Sequence, residues 1–161
     1  MNSKRIAKFA LLVALAMVLS WLESLIPVSS AIPGVKLGLT NLVVLFALYR
    51  MGGKDAIILS LIRVVLVSLT FGNAFAFFYS FSGALLSFLI MWLMKKSGRF
   101  STVGVSVAGG VGHNIGQILT AAIVLRSSGI FYYLPVLLLS GVAAGIGIGL
   151  AGAVLIQRIP D

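Results

Sequence analysis

The chain has 161 residues, 60% of them hydrophobic and 9% charged, with a mean hydropathy of +1.17, which excludes a water-soluble globular domain and makes a bilayer its solvent. It contains no cysteine, so disulfide frameworks, thiol nucleophiles and thiolate metal sites are excluded as well. A net charge of +9 would suggest nucleic acid in a soluble protein, but here the cations fall at the ends of apolar runs and mark topology instead.

Six apolar segments follow one another, at about 5–27, 37–51, 54–71, 74–94, 101–125 and 131–157, with no soluble domain between them. About 20 residues cross a bilayer core as a helix, so the expectation is one all-α integral membrane domain, residues 1–161, with six transmembrane helices. The first segment follows Lys4 and Arg5 as a signal peptide would. It is longer than an apolar signal core and has no convincing small-residue cleavage site, so it reads as a retained helix.

Between the first two segments lies the polar, turn-rich stretch from Pro33 to Asn41. Pro33 disfavours helix at the residue before it and Gly34 permits unusual backbone angles, so the chain should loop before the next helix starts near Leu37. That stretch is a candidate lid with Lys36 and Asn41 at the mouth of a helix; an ordinary turn with Lys36 reaching for the interface fits equally well. The second segment is short for a spanning helix, which suits little tilt or a start inside the loop.

Later connections, at Met51-Gly52-Gly53, Phe71-Gly72-Asn73, Lys95 to Arg99 and Arg126 to Gly129, combine glycine with polar residues. An amino terminus in the cytoplasm puts Lys4, Arg5, Lys8, Arg50, Lys54, Lys95, Lys96, Arg99 and Arg158 inside and only Lys36 and Arg126 outside. The positive-inside rule therefore selects an N-in, C-in arrangement. Gly141, Gly145 and Gly149, and Gly112 with Gly116, recur at four-residue spacing, where small residues let helix backbones approach; packing within one subunit is favoured over homodimerisation. No internal repeat of the secondary-transporter kind is visible.

Polar side chains inside hydrocarbon are costly and ask for a partner or a ligand. With this topology Glu23, Lys36, Asn41 and Asn73 lie toward the outer side, while Arg63 and His113 lie nearer mid-membrane with Asn114 and Gln117. His113 and Gln117 share a helix face, and Asn114 points about a hundred degrees away. This outward lean suggests a small-molecule site open to the outer side, and two cations against one carboxylate suit a ligand with an anionic group. Arg63 has two readings: held by Glu23 or backbone carbonyls to fix packing, which is favoured, or in contact with ligand. The glycines around His113 suit either close packing or a ligand lying on the backbone. Aromatic clusters at Phe71 to Phe81 and Phe131 to Tyr133 read mainly as lipid-facing or interfacial anchors. The three acidic residues, Glu23, Asp55 and Asp161, form no paired-carboxylate or metal site, and no nucleotide-binding or nucleophile motif is present. The expectation is therefore a non-enzyme without cofactor, and Asp55 at a helix start is explained by the helix dipole.

Small size, six helices, a polar loop after the first helix and the run Ala7 to Ala16 resemble the substrate-capture (S) components of energy-coupling factor vitamin transporters. More specifically, Ile32 to Asn41 and Gly112-His113-Asn114-Ile115-Gly116-Gln117 are similar to the Gx transporter group, also labelled heptaprenyl diphosphate synthase component I, across essentially the whole chain. The resemblance implies a subunit of the bacterial cytoplasmic membrane that binds a small, partly apolar molecule under a loop. It also implies docking through Ala10 and Ala14 onto a transmembrane coupling subunit served by ATPase subunits. By association, the cargo would be vitamin-like or a quinone or isoprenoid precursor. The alternative is a non-catalytic membrane accessory of heptaprenyl diphosphate or menaquinone biosynthesis.

Overall fold

Polar residues and glycines set the helix ends in an otherwise apolar chain. In a computed structural model, which describes residues 3–26, 37–70 and 72–159, they bound six α-helices: α1 (Ser3–Leu25), α2 (Leu39–Arg50), α3 (Gly53–Thr70), α4 (Ala74–Ser97), α5 (Thr102–Leu125) and α6 (Leu134–Arg158). No strand occurs among the described residues. The Asn73 side chain accepts the Ala76 N–H at 2.8 Å and Ser101 accepts the Gly104 N–H at 3.1 Å, so each caps the helix that follows it. At the other end of α4, Gly98 adopts φ 68°, where a side chain would be strained, and its N–H closes onto the Lys95 carbonyl.

The helices stand where the apolar segments do, with two informative differences. Helix α4 runs three residues further than expected because Lys95 stays helical and donates its ammonium to the Leu48 carbonyl at 2.5 Å. The last helix starts later than expected. Pro135 has no N–H to bond back into a preceding turn, and residues Ser128–Tyr133 form a tighter 3₁₀ turn instead.

Four stretches, Ser3–Leu25, Ala74–Ser97, Thr102–Leu125 and Gly129–Arg158, are long and apolar enough to cross a membrane. Helix α2, with 12 residues, rises only ~18 Å, less than the ~30 Å hydrocarbon core. Its shortness goes with burial. Thr40, Val43, Val44, Leu45, Ala47 and Leu48 are all buried, and the five apolar ones form the main core cluster with Ala16, Ala56, Leu59, Met91, Val105 and Ile148. A short helix enclosed by longer ones leaves little backbone facing lipid.

Glycines join α4, α5 and α6 closely. A methyl group placed on Gly145 would lie 2.5 Å from the Val107 Cα, and one on Gly149 2.7 Å from the Val103 Cα, so α6 rests directly on the α5 backbone. Gly116 meets the Ser82 carbonyl of α4 in the same way, at 2.6 Å. The four-residue glycine spacing thus serves packing within the subunit.

Cations gather at one end of the bundle. Arg5 pairs with Asp55 at 2.6 Å, joining the starts of α1 and α3, and Arg50 donates to the Ile156 and Ile159 carbonyls at the end of α6. Asp55 is therefore held by an interhelical ion pair in addition to its favourable place at a helix start.

Candidate functional site

Enclosed between the helices, toward the end opposite these cations, is a cavity of about 300 Å³. The spacing of Ser20, Glu23 and Ser24 puts all three on one face of α1, and that face forms one wall. Gly38 and Asn41 border the cavity from the start of α2, Arg63 from α3, and His113 and Asn114 from α5. Gly110, Gly141 and Gly145 bare backbone in its wall, and Met91 and Ile148 are among the buried apolar residues lining it.

Two polar contacts shape the mouth. Glu23 Oε1 accepts the Gly38 N–H at 2.6 Å, and Gly38 sits at φ 72°, a conformation that favours glycine. This bond ties the end of α1 to the start of α2. Deeper, Arg63 Nη1 donates to Thr40 Oγ1 at 3.1 Å.

Arg63 is the unusual member of the site. Its side chain is 8% exposed, yet Nε and Nη2 have no hydrogen-bond partner among the described residues. Glu23 attracts it electrostatically, but no ion pair closes between them within 4 Å; the one ion pair among the described residues is Arg5 with Asp55. Among the described residues no ion pair with Glu23 and no backbone hydrogen bond holds the guanidinium, and Thr40 takes only one of its five N–H donors. A planar fork with two buried nitrogens unpaired matches a carboxylate or phosphate.

The other expected site residues divide. Glu23, Asn41, His113 and Asn114 come together with Arg63 around the cavity. Asn114 is also tied to α6 through its amide donating to the Leu137 carbonyl, so it holds the wall as well as lining it. Asn73 is exposed and spends its side-chain oxygen on the α4 cap, away from the lining. Gln117 is buried against Gly83 of α4 beside His113, outside the lining. Lys36, Pro33 and Gly34, and with them the expected lid, lie outside the described residues. Thr40 and Ser20 were missed. The hydroxyl of Ser20 is buried, lines the cavity and has no partner. The i, i+3, i+4 spacing of Ser20, Glu23 and Ser24 was the available signal.

Among the described residues, no group of three His, Cys, Asp or Glu side chains could hold a metal ion. Of the two described carboxylates, Glu23 borders the cavity and Asp55 is engaged at the cationic end. None of the described aromatic residues of the Phe75 and Phe131 clusters lines the cavity, and Phe75, Phe78, Phe81, Phe131, Tyr132 and Tyr133 all present large exposed surfaces.

The family model for heptaprenyl diphosphate synthase component I matches residues 12–155. The chain belongs to that family. The match runs from within α1 to within α6 and includes every described cavity residue, and the family description makes its members components of a synthase. No curated protein and no solved structure matches the chain.

Proposed function

We propose that this chain is a membrane substrate-binding subunit whose cavity captures a small, partly apolar molecule carrying an anionic group, vitamin-like or a quinone or isoprenoid precursor, for an ATP-driven coupling module. The observation that carries this reading is Arg63, a buried guanidinium facing a cavity with two nitrogens unpaired. An intramembrane cation without a fixed partner is costly, and a bound anion offsets that cost. In the proposed arrangement all six helices cross the bacterial cytoplasmic membrane with both termini inside. The gathering of Arg5, Arg50 and Lys95 at one end of the bundle, opposite the cavity mouth, supports it. Lys36, Asn73 and Gln117 belong to the proposed binding set by their sequence position, with Asn73 and Gln117 acting through the cap and the wall rather than by contact.

The coupling subunit and its ATPases would dock on α1. Only Ala16 and Ser20 of that helix are buried, and Ala10 and Ala14 are exposed along it. Replacing Ala10 or Ala14 by tryptophan should abolish uptake and leave ligand binding intact; uptake unchanged in both variants removes the docking site. Native mass spectrometry of gently purified protein, with extraction of any co-purifying small molecule, tests the reading directly. One small molecule per chain is expected.

The family description favours a second reading, a non-catalytic membrane accessory of heptaprenyl diphosphate or menaquinone synthesis. That reading predicts a soluble synthase retained on the purified chain and an empty cavity.

A further inference from the structure

Within the reading of a binding subunit, the cavity carries more information than its affinity for an anion. Of its described lining residues, Glu23 and Arg63 bear formal charges of opposite sign, and no ion pair closes between them within 4 Å. Glu23 is half-buried and borders the cavity, and its Oε1 takes the Gly38 N–H. A carboxylate and a guanidinium that face one cavity without meeting present two complementary charges to whatever enters between them. A ligand with only an acid group satisfies Arg63 but brings a second negative charge close to Glu23 in a low-dielectric site, where like charges repel strongly. A ligand with only a basic group makes the mirror-image error at Arg63. A molecule bearing both satisfies both.

Size sets the second limit. A cavity of about 300 Å³ lies at the small end of the range for ligand pockets, roughly 300–1,000 Å³. A chain of seven isoprene units is too long to be enclosed in it. We propose that the cavity selects a compact amphoteric molecule: a carboxylate or phosphate on the Arg63 fork, an ammonium or N–H donor on the Glu23 carboxylate, and a short apolar body between them on the glycine-lined wall. A heptaprenyl diphosphate is too long to be enclosed as the captured species.

Calorimetric titration of the full chain in lipid nanodiscs tests this with matched probes: para-aminomethylbenzoate, its two single-charge halves para-toluate and para-methylbenzylamine, and geranyl diphosphate. The amphoteric probe should bind at least tenfold more tightly than either half, a difference of about 1.4 kcal/mol. Glu23→Gln should erase that advantage, because the amide oxygen still accepts the Gly38 N–H and the charge is gone. Arg63→Lys, which keeps the charge and loses the fork, should weaken both acid-bearing probes. Para-toluate binding as tightly as the amphoteric probe, and more tightly still to Glu23→Gln, would overturn the amphoteric assignment while leaving an anion-binding subunit standing. Geranyl diphosphate as the tightest ligand overturns the compact amphoteric assignment. Binding that ignores both substitutions, or no binding by any probe, overturns the site itself and the binding-subunit reading with it.

Discussion

Replacing Arg63 by methionine separates a side chain kept for packing from one kept for a ligand. Methionine fills much of the same volume without polar atoms. In the empty protein the guanidinium makes one hydrogen bond, to Thr40, and leaves Nε and Nη2 buried and unpaired. Each buried unsatisfied group costs about 1–3 kcal/mol, while the lost bond to Thr40 contributes about 0.5–1.5 kcal/mol and frees the Thr40 hydroxyl. The attraction from Glu23 is lost too, which trims the gain. The balance favours Arg63→Met by about 1–3 kcal/mol without ligand, a rise in Tm of several degrees at roughly 2–4 °C per kcal/mol for a chain of this size. Thermal unfolding in detergent, read by circular dichroism, measures the shift, and titration with the co-purifying ligand measures binding. The expected result is a more stable protein that no longer binds. A less stable Arg63→Met that binds as well as the parent would refute the reasoning, because the guanidinium would then be a packing element.

The glycine contacts give a paired prediction: Gly145→Ala should destabilise by about 1–3 kcal/mol, since its methyl group would sit 2.5 Å from the Val107 Cα and the backbones would have to separate. Gly147→Ala, on the open side of the same helix with nothing within 4 Å, should be neutral or stabilise by up to about 1 kcal/mol. Equal melting temperatures for the two would show that α5 and α6 are not in backbone contact. Because the chain has no cysteine, Lys54→Cys and Ser127→Cys can each be probed with a membrane-impermeant maleimide in intact cells. Ser127→Cys should label from outside and Lys54→Cys only after lysis; the reverse pattern inverts the proposed topology.

Helix positions were legible because each apolar run is broken by residues that cap or turn the chain, such as Asn73, Gly98 and Ser101. The cavity was legible in part for a different reason: a polar group in hydrocarbon needs a partner or a ligand, and Glu23, Asn41, Arg63, His113 and Asn114 border the same enclosed space. The rule misplaced Asn73 and Gln117 because polarity can be spent locally. Asn73 caps the first turn of α4, and the face that Gln117 shares with His113 is divided between the cavity and Gly83 of α4. Thr40 and Ser20 escaped notice because hydroxyls are tolerated throughout membrane helices and carry little signal alone. What holds Arg63 was out of reach of sequence, since spacing along the chain does not say whether Glu23 and Arg63 touch.

The bundle is built unevenly, and that bears on how the proposed ligand would enter. Helices α4, α5 and α6 meet through glycines at backbone distance, contacts that leave no room for sliding. Helix α1 instead buries two of its 23 residues and is tied at its ends by two polar contacts, Arg5 to Asp55 and Glu23 to the Gly38 N–H. Arg5 is half exposed, with its side chain 52% accessible, so its ion pair contributes on the order of 1 kcal/mol or less. Motion that opens the cavity should therefore be carried by α1 against a fixed α4–α6 body. Spin labels at Leu11→Cys and Phe78→Cys should give a broad distance distribution that narrows when ligand binds, because Glu23 on α1 is part of the cavity wall. Labels at Leu119→Cys and Leu150→Cys, both exposed on α5 and α6, should give a narrow distribution indifferent to ligand. If the two pairs are equally narrow and neither responds, α1 is as fixed as the rest, and entry must proceed without its movement.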